Sequence, residues 1–246
     1  MAADVEPSRR LAVAASWPLG IALTSWHYLW RILPVHRSEE DGTPSEDLPP
    51  ALPPGVEERD LQTPGSGRGP LLHRRYTVRV LDSHLGAEQL IERLAADPNR
   101  LAPWQVARFR KTTGQEGRLR VGDEFRVHMP GPWDGPVRVV HVGATGFRFA
   151  TMKGHLEAGQ IEWRAAPRAD GVLCFSVESW ARAGDRLSAL LHDQLRMAKE
   201  VQLYMWTSVC ERVPRVAGGR IGDGVHVLTR RVPAEAFDPV RRLGAP

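Results

Sequence analysis

Between residues 74 and 180, bulky apolar side chains recur at every second position in a series of short runs, each ended by a connection rich in Gly or Pro. A period of two puts alternate side chains on opposite faces of an extended chain, so each run reads as a strand with one buried face. In residues 74–81, Tyr76, Val78 and Val80 share one side and Arg75, Thr77 and Arg79 the other. Five more runs follow, near residues 124–129, 137–142, 147–152, 160–165 and 172–180. Connections this short leave no room for crossover helices, and an antiparallel meander is expected.

Two segments change the period to that of a helix. Residues 87–96 put Leu90, Ile91 and Leu94 on one side and end at Asp97-Pro98, and a second short helix is expected from Pro103. Beyond Asp185, a suitable N-cap, Leu187, Leu190, Leu191, Ala198, Val201, Met205 and Val209 form one stripe. A helix running from there to Val213, where Pro214 is expected to stop it, is roughly 43 Å long at the usual rise, enough to cross a whole sheet.

The order strand, two helices, five strands, long helix resembles that of helix-grip domains, the superfamily of START lipid-transfer domains and birch-pollen-type allergens. That resemblance implies an α+β fold, a curved antiparallel sheet around the long C-terminal helix. More specifically, GFRFATMKGHLEAGQIEW at residues 146–163, GDEF at 122–125 and Gln202-Leu203-Tyr204 resemble an uncharacterised family known as domain of unknown function nineteen-ninety. The likeness covers residues 75–213, and GHLEAGQ is its most specific part. Members tend to carry two adjacent acids where this chain has Gln160, Ile161 and Glu162. The resemblance implies a fold and brings no activity with it.

Three flanking segments complete the organisation. Residues 1–37 are expected to be an N-terminal amphipathic helical extension, with Leu23, Trp26, Trp30 and Leu33 at helical spacing and His27 and Arg31 off that stripe. Pro18, Gly20, His27 and Arg31 interrupt what would otherwise be a membrane-spanning length, so packing on protein or a membrane surface is expected of residues 11–35. Residues 38–70 read as an acidic, Pro/Gly-rich linker, with eight acids against Arg59 and Arg68. With the helix-grip domain assigned to residues 71–213, residues 214–246 form a basic tail with a hairpin expected around Gly222-Asp223-Gly224. The overall charge of +4 is accompanied by no nucleic-acid-binding motif, and no specific nucleic-acid partner is expected. Cys174 and Cys210 are too few for a disulfide framework and read as small buried hydrophobes, which fits a cytoplasmic protein, membrane-associated only if residues 11–35 make it so.

Assigning the more apolar side of each strand to the helix gives an interior lined by Tyr76, Phe125, Phe147, Phe149, Trp163 and Phe175. The other side collects Arg79, Glu124, Arg126, Arg148, Glu162, Arg164 and Glu178, the pattern of a solvated face. In the third run Val140 and Val142 compete with Val137 and Val139 for the inside, leaving the side of His141 open. Successive turns of a meander alternate between its two ends, so the turns at residues 131–136 and 154–159 fall together, beside the start of the long helix. This gathers Trp133, Asp134, His155, Glu157, Arg182 and Asp185 around one opening, where related folds admit ligands.

A charge-poor aromatic interior with a polar rim points to binding or carriage of a small apolar molecule, lipid or polyketide-like. Tyr76, Phe125, Trp133, Phe147, Phe149, His155, Trp163, Phe175 and Arg182 are the expected contacts. Two other readings stay open: an enzyme of the cyclase, isomerase or hydrolase kind using His155 with Glu157 or Asp134, and an interaction module working through residues 11–35. No metal-ligand spacing, phosphate-cradling loop or nucleophile motif occurs, and no cofactor or metal is expected. Lys111 is a further candidate cavity residue.

Overall fold

The computed structural model describes residues 33–103, 107–129, 134–168, 170–184 and 192–237, with the side chains of Asp134 and of residues 192–201 outside the description. The expected helix of residues 11–35 falls almost wholly outside these residues, as do residues 104–106, where the second short helix was expected.

In chain order the elements are β1 (Val35–Asp41), β2 (Arg68–Leu81), α1 (Ala87–Ala96), β3 (Arg108–Thr113), β4 (Glu124–His128), β5 (Asp134–Gly143), β6 (Gly146–Thr151), β7 (Glu157–Pro167), β8 (Leu173–Ala183), α2 (His192–Ala217) and β9 (Arg220–Val232). The strands form one sheet in the order β1-β9-β2-β8-β7-β6-β5-β4-β3. The meander from β3 to β8 and its pairing to β2 are antiparallel as the short turns require. At the far edge β9 pairs antiparallel with β2, and β1 pairs parallel with β9, making the sheet mixed.

Both helices lie on one face, α1 over β6 and β7 and α2 over β2, β8 and β9. Leu90, Ile91 and Leu94 of α1 are buried there, and so are Met205, Trp206, Val209 and Val213 of α2. Trp163 sits at the centre, its ring 5.3 Å from Phe147, 6.1 Å from Trp206, 6.2 Å from Phe109 and 6.3 Å from Phe175. Phe149 contacts Phe109, Phe125 and Phe147 at 5.6–5.9 Å, so the cluster is continuous across five strands. Edge-to-face and tilted contacts of this kind add to area burial, itself about 1.5–3 kcal/mol per large side chain.

Several expectations need correcting. α2 passes through Pro214, expected to stop it, and ends at Ala217; Gly218 then takes φ +72, a left-handed conformation. The missing proline N–H weakens the ladder only close to the helix end, and the Ala217 carbonyl accepts from the His84 and Leu85 N–H groups of the β2–α1 connection. The expected hairpin at residues 218–232 is one continuous strand, β9, whose register against β2 shifts between Val78 and Val80. The competition within β5 is resolved by a register shift between Val139 and His141. Val137, Val139 and Val142 face the helices, and Val140 is buried on the opposite side, so both pairs of valines are covered.

The largest difference concerns residues 38–70, which do not behave as a linker. Their first residues complete β1, their last three begin β2, and the stretch between packs as a strap on the outer face of the sheet. Leu52, Val56 and Leu61 cover Val140 and Ala150, and Leu61 bridges Met152. Strand side chains hold the strap by its carbonyl oxygens: Arg138 donates to Glu57 and Arg59, Arg148 to Ala51, Gln160 to Pro50, and Arg182 to Pro64. Arg148, expected on a solvated face, is only 5% exposed beneath it.

A buried charge cluster fastens the strap's start. His73 Nδ1 lies 2.6 Å from Asp47 Oδ1, and its Nε2 lies 2.6 Å from Glu178 Oε1, with the ring stacked on Trp180. Arg75 donates to the same Glu178 oxygen, and Thr43 N–H donates to Asp47 Oδ2. Burial alone would raise the Asp47 carboxyl, but the His73 and Thr43 hydrogen bonds and the charges of His73 and Arg230 outweigh it and leave the pKa below its ordinary value. Glu178 follows the same balance, burial opposed by His73 and Arg75, with the same net lowering.

Candidate functional site

The registers of β1, β9 and β2 define a three-by-three array on the helix-facing side of the sheet. One row is Arg37, Val227, Tyr76; the next is Glu39, Thr229, Arg74; the third is Asp41, Arg231, Leu72. Residues two apart on a strand share a face, which is why these nine and not their neighbours face inward. With Leu203 from α2 and with Ser38 and Glu40 of β1 they line an open cavity of about 530 Å³, its β1 side exposed to solvent. Its apolar surface comes from Leu72, Tyr76, Val227 and Leu203, and its walls are charged.

Tyr76 is fully buried, and its hydroxyl has no hydrogen-bond partner among the described residues. Burial, with a smaller contribution from Glu157, pushes its pKa up to about 12 against the opposing influence of Arg74, so the hydroxyl keeps its proton. Arg74, half-buried, has no carboxylate within ion-pair distance among the described residues. Its Nη1 donates to Gln202 Oε1 at 3.3 Å, and Gln202 Nε2 donates to Glu157 Oε2 at 2.6 Å. Glu157 thus orients Gln202, which in turn steadies the guanidinium. A buried orphan hydroxyl and a half-buried unpaired cation both cost stability, and both sit where a small molecule can satisfy them.

The expected site residues separate into three groups. Tyr76 lines the cavity. Phe125, Phe147, Phe149, Trp163 and Phe175 do not; none is more than 5% exposed, and their rings fill the space beneath the helices by packing on one another. Arg182, expected at the rim, is on the opposite face, where it donates to Gly69 O and Pro64 O and stacks on Phe237 at 4.2 Å. Trp133 and Asp185 lie outside the described residues, and the side chain of Asp134 outside the described side chains.

His155, in the turn before β7, and Glu157, the first residue of that strand, do stand together, with their functional groups turned to different tasks. His155 Nδ1 accepts the Glu157 backbone N–H at 2.9 Å, whereas the Glu157 carboxylate holds Gln202. Burial lowers the His155 pKa to about 4, against a smaller opposing effect of the Glu157 backbone, so the ring is neutral at neutral pH. The two turns expected to meet do so: a Cβ added at Gly135 would stand 2.6 Å from the His155 ring. Gly159, in the GHLEAG turn, has no room for a side chain at all, since a Cβ there would collide with the Trp180 carbonyl oxygen of β8. Lys111, expected as a cavity or solvated residue, is buried in an ion pair with Asp123 at 2.7 Å and lies over Phe125.

Thr229, Arg231, Glu39 and Asp41 escaped the sequence reading because their strands were assigned to a hairpin and a linker, and Arg74, on a strand that was recognised, because the cavity beside it needs those strands. The signal that reveals β9 is the alternation Val225, Val227 against His226, Leu228, which runs on past any two-residue turn.

Among the described residues no helix is long and apolar enough to cross a membrane. Solved structures similar to this chain include the di-domain ARO/CYC StfQ from the steffimycin biosynthetic pathway, at 14% identity and TM-score 0.45, covering 65% of this chain and 52% of that one. The chain therefore spans about half the length of that protein. Norcoclaurine synthase from Thalictrum flavum is similar at 12% identity and TM-score 0.42, over 61% and 87% of the two chains. Major latex-like protein 151 from Panax ginseng is similar at 13% identity and TM-score 0.34, over 55% and 98%. At these values the likenesses bear on neither ligand nor activity. No curated protein matches the chain. Residues 62–212 match the family described as domain of unknown function DUF1990, and this chain, an α+β protein with nine strands in one sheet among its described residues, belongs to that family.

Proposed function

We propose that this chain is a binding module for a small amphipathic molecule, seated over β1, β9 and β2 and not beneath the centre of the sheet. The observation that supports this reading is the convergence of the orphan Tyr76 hydroxyl and the unpaired Arg74 at one cavity. A volume of about 530 Å³ falls in the range of small-molecule pockets, and a lining mostly of charged and polar residues, with Leu72, Tyr76, Val227 and Leu203 among them, suits an amphipathic molecule better than an apolar one. A carrier for a wholly apolar molecule fits less well, because the aromatic interior is already filled by its own rings. An acid–base enzyme built on His155 and Glu157 fits less well too, since each already has a partner that holds it in place.

Native mass spectrometry of gently purified full chain, with thermal shifts against a library of small acids, amines, amino acids and lipids, tests the proposal. A co-purifying mass, or stabilisation by one compound class that Arg74→Ala abolishes, is expected. Absence of both, or stabilisation that survives Arg74→Ala unchanged, overturns it.

A further inference from the structure

We infer that the molecule seated at this cavity is a small zwitterion, its anionic end at Arg74 and its ammonium end at Glu39. The inference rests on the binding site proposed above and goes further by naming the ligand's chemistry.

The argument starts from the middle row of the array. Glu39 pairs in register with Thr229 on one side, and Arg74 pairs with Thr229 on the other, so the acid and the base face each other across one intervening strand. Two strand spacings put their Cα atoms about 10 Å apart, with the Thr229 side chain between them. Neither has an ion-pair partner among the described residues, and the same holds for Asp41 and Arg231 in the adjacent row. The cavity therefore carries charges of both signs, with Glu39 and Asp41 beside Arg37 on the exposed β1 wall and Arg74 and Arg231 on β2 and β9.

This mixture of charges decides between ligand classes. A simple anion drawn to Arg74 and Arg231 also meets Glu39 and Asp41, and a simple cation drawn to the β1 wall meets both arginines. Only a molecule carrying both charges gains at each end. Between the ends lie the Thr229 hydroxyl and the apolar surface of Val227, Leu72 and Leu203, which suits a short aliphatic or aromatic spacer. The fully buried Tyr76 hydroxyl, next to Arg74 in β2 and without a hydrogen-bond partner at normal distance among the described residues, adds a second polar group at the anionic end.

Three probes of nearly equal size test the inference on the full chain: 6-aminohexanoate, hexanoate and hexylamine. Binding is followed by calorimetry and by amide NMR shifts at Val227 and Thr229. The zwitterion is expected to bind about ten-fold tighter than either singly charged probe. Glu39→Gln is expected to remove its advantage over hexanoate, and Arg74→Gln its advantage over hexylamine. Hexanoate or hexylamine binding as well as 6-aminohexanoate at those amides overturns the zwitterion while leaving the binding site intact. Failure of all three to move Val227 or Thr229 overturns the zwitterion, and the same failure across the wider library overturns the site itself.

Discussion

Two parts of the same sheet face have opposite characters. Across β6, β7 and β8 the helix-facing residues are Phe147, Phe149, Trp163 and Phe175, sealed beneath α1 and α2. Across β1, β9 and β2 the equivalent positions hold Arg37, Glu39, Asp41, Arg74, Thr229 and Arg231, around an open cavity. Alternation is the same in both, because it follows from strand geometry alone. What differs is the cover. A position enclosed on every side has to be apolar or paired, whereas one at the margin of a helix can keep charges whose partner comes from elsewhere. The face is thus divided into a part that holds the fold together and a part free to recognise something.

That division is most directly broken at its centre. Trp163→Ala removes the ring on which Phe109, Phe147, Phe175 and Trp206 converge and is expected to cost about 3–5 kcal/mol, read as a fall in the denaturant midpoint. A cost below about 1 kcal/mol would mean that the centre is loosely packed and that the two regions differ less than described. At the margin the sign should reverse. Tyr76→Phe deletes a buried hydroxyl that has no hydrogen-bond partner at normal distance among the described residues and is expected to raise stability by about 1 kcal/mol while weakening binding. A destabilised Tyr76→Phe protein would place that hydroxyl among the groups that hold the fold.

The smallest expected effect is in pH dependence. His155 has a folded pKa of about 4 against an ordinary 6.5, so the unfolded chain takes up the proton first as pH falls. Stability contributed by its neutral form is complete above the unfolded value and is lost as the pH falls toward the folded one. Urea midpoints between about pH 7 and pH 4 should decline less in His155→Asn than in the parent. Asp47 and Glu178, both lowered, extend the loss to more acid conditions, because their contribution is present above the unfolded carboxylate pKa and disappears as pH drops through the lowered folded value. An equal decline in both proteins would remove His155 as a source of acid sensitivity.

Period-two alternation made β2, β4, β5, β6, β7 and β8 readable in advance, and the stripe Leu90, Ile91, Leu94 did the same for α1. Both edges of the sheet were hidden for one reason: an edge strand has less of its surface covered and carries charge. β1 reads HRSEED after its first residue and β3 reads RFRKTT, composition that resembles loop and discourages pairing with other chains. The strap was hidden for another reason. Its Pro and Gly residues supply few apolar side chains, but every residue keeps a carbonyl oxygen, and arginines far along the chain seek those oxygens. No local window contains both halves of such a bond. Of the candidate site, Tyr76 was legible from its strand and Glu157 and Gln202 from the family motifs, whereas Arg74, on the Tyr76 side of β2 at the start of the run, was given no role. Its importance depends on a cavity assembled from strands that local periodicity did not join.

That assembly has a consequence for when the protein becomes competent. Leu72, Arg74 and Tyr76 are translated early, Leu203 much later, and Val227, Thr229 and Arg231 later still, while Arg37, Glu39 and Asp41 must wait for β9 before they have anything to pair with. Contacts this distant in sequence form slowly, because the loop between them has to close before any reward is gained. A nascent chain can condense its aromatic centre while the recognition surface is still in two unconnected pieces, so ligand binding reports on completion of synthesis as well as on folding.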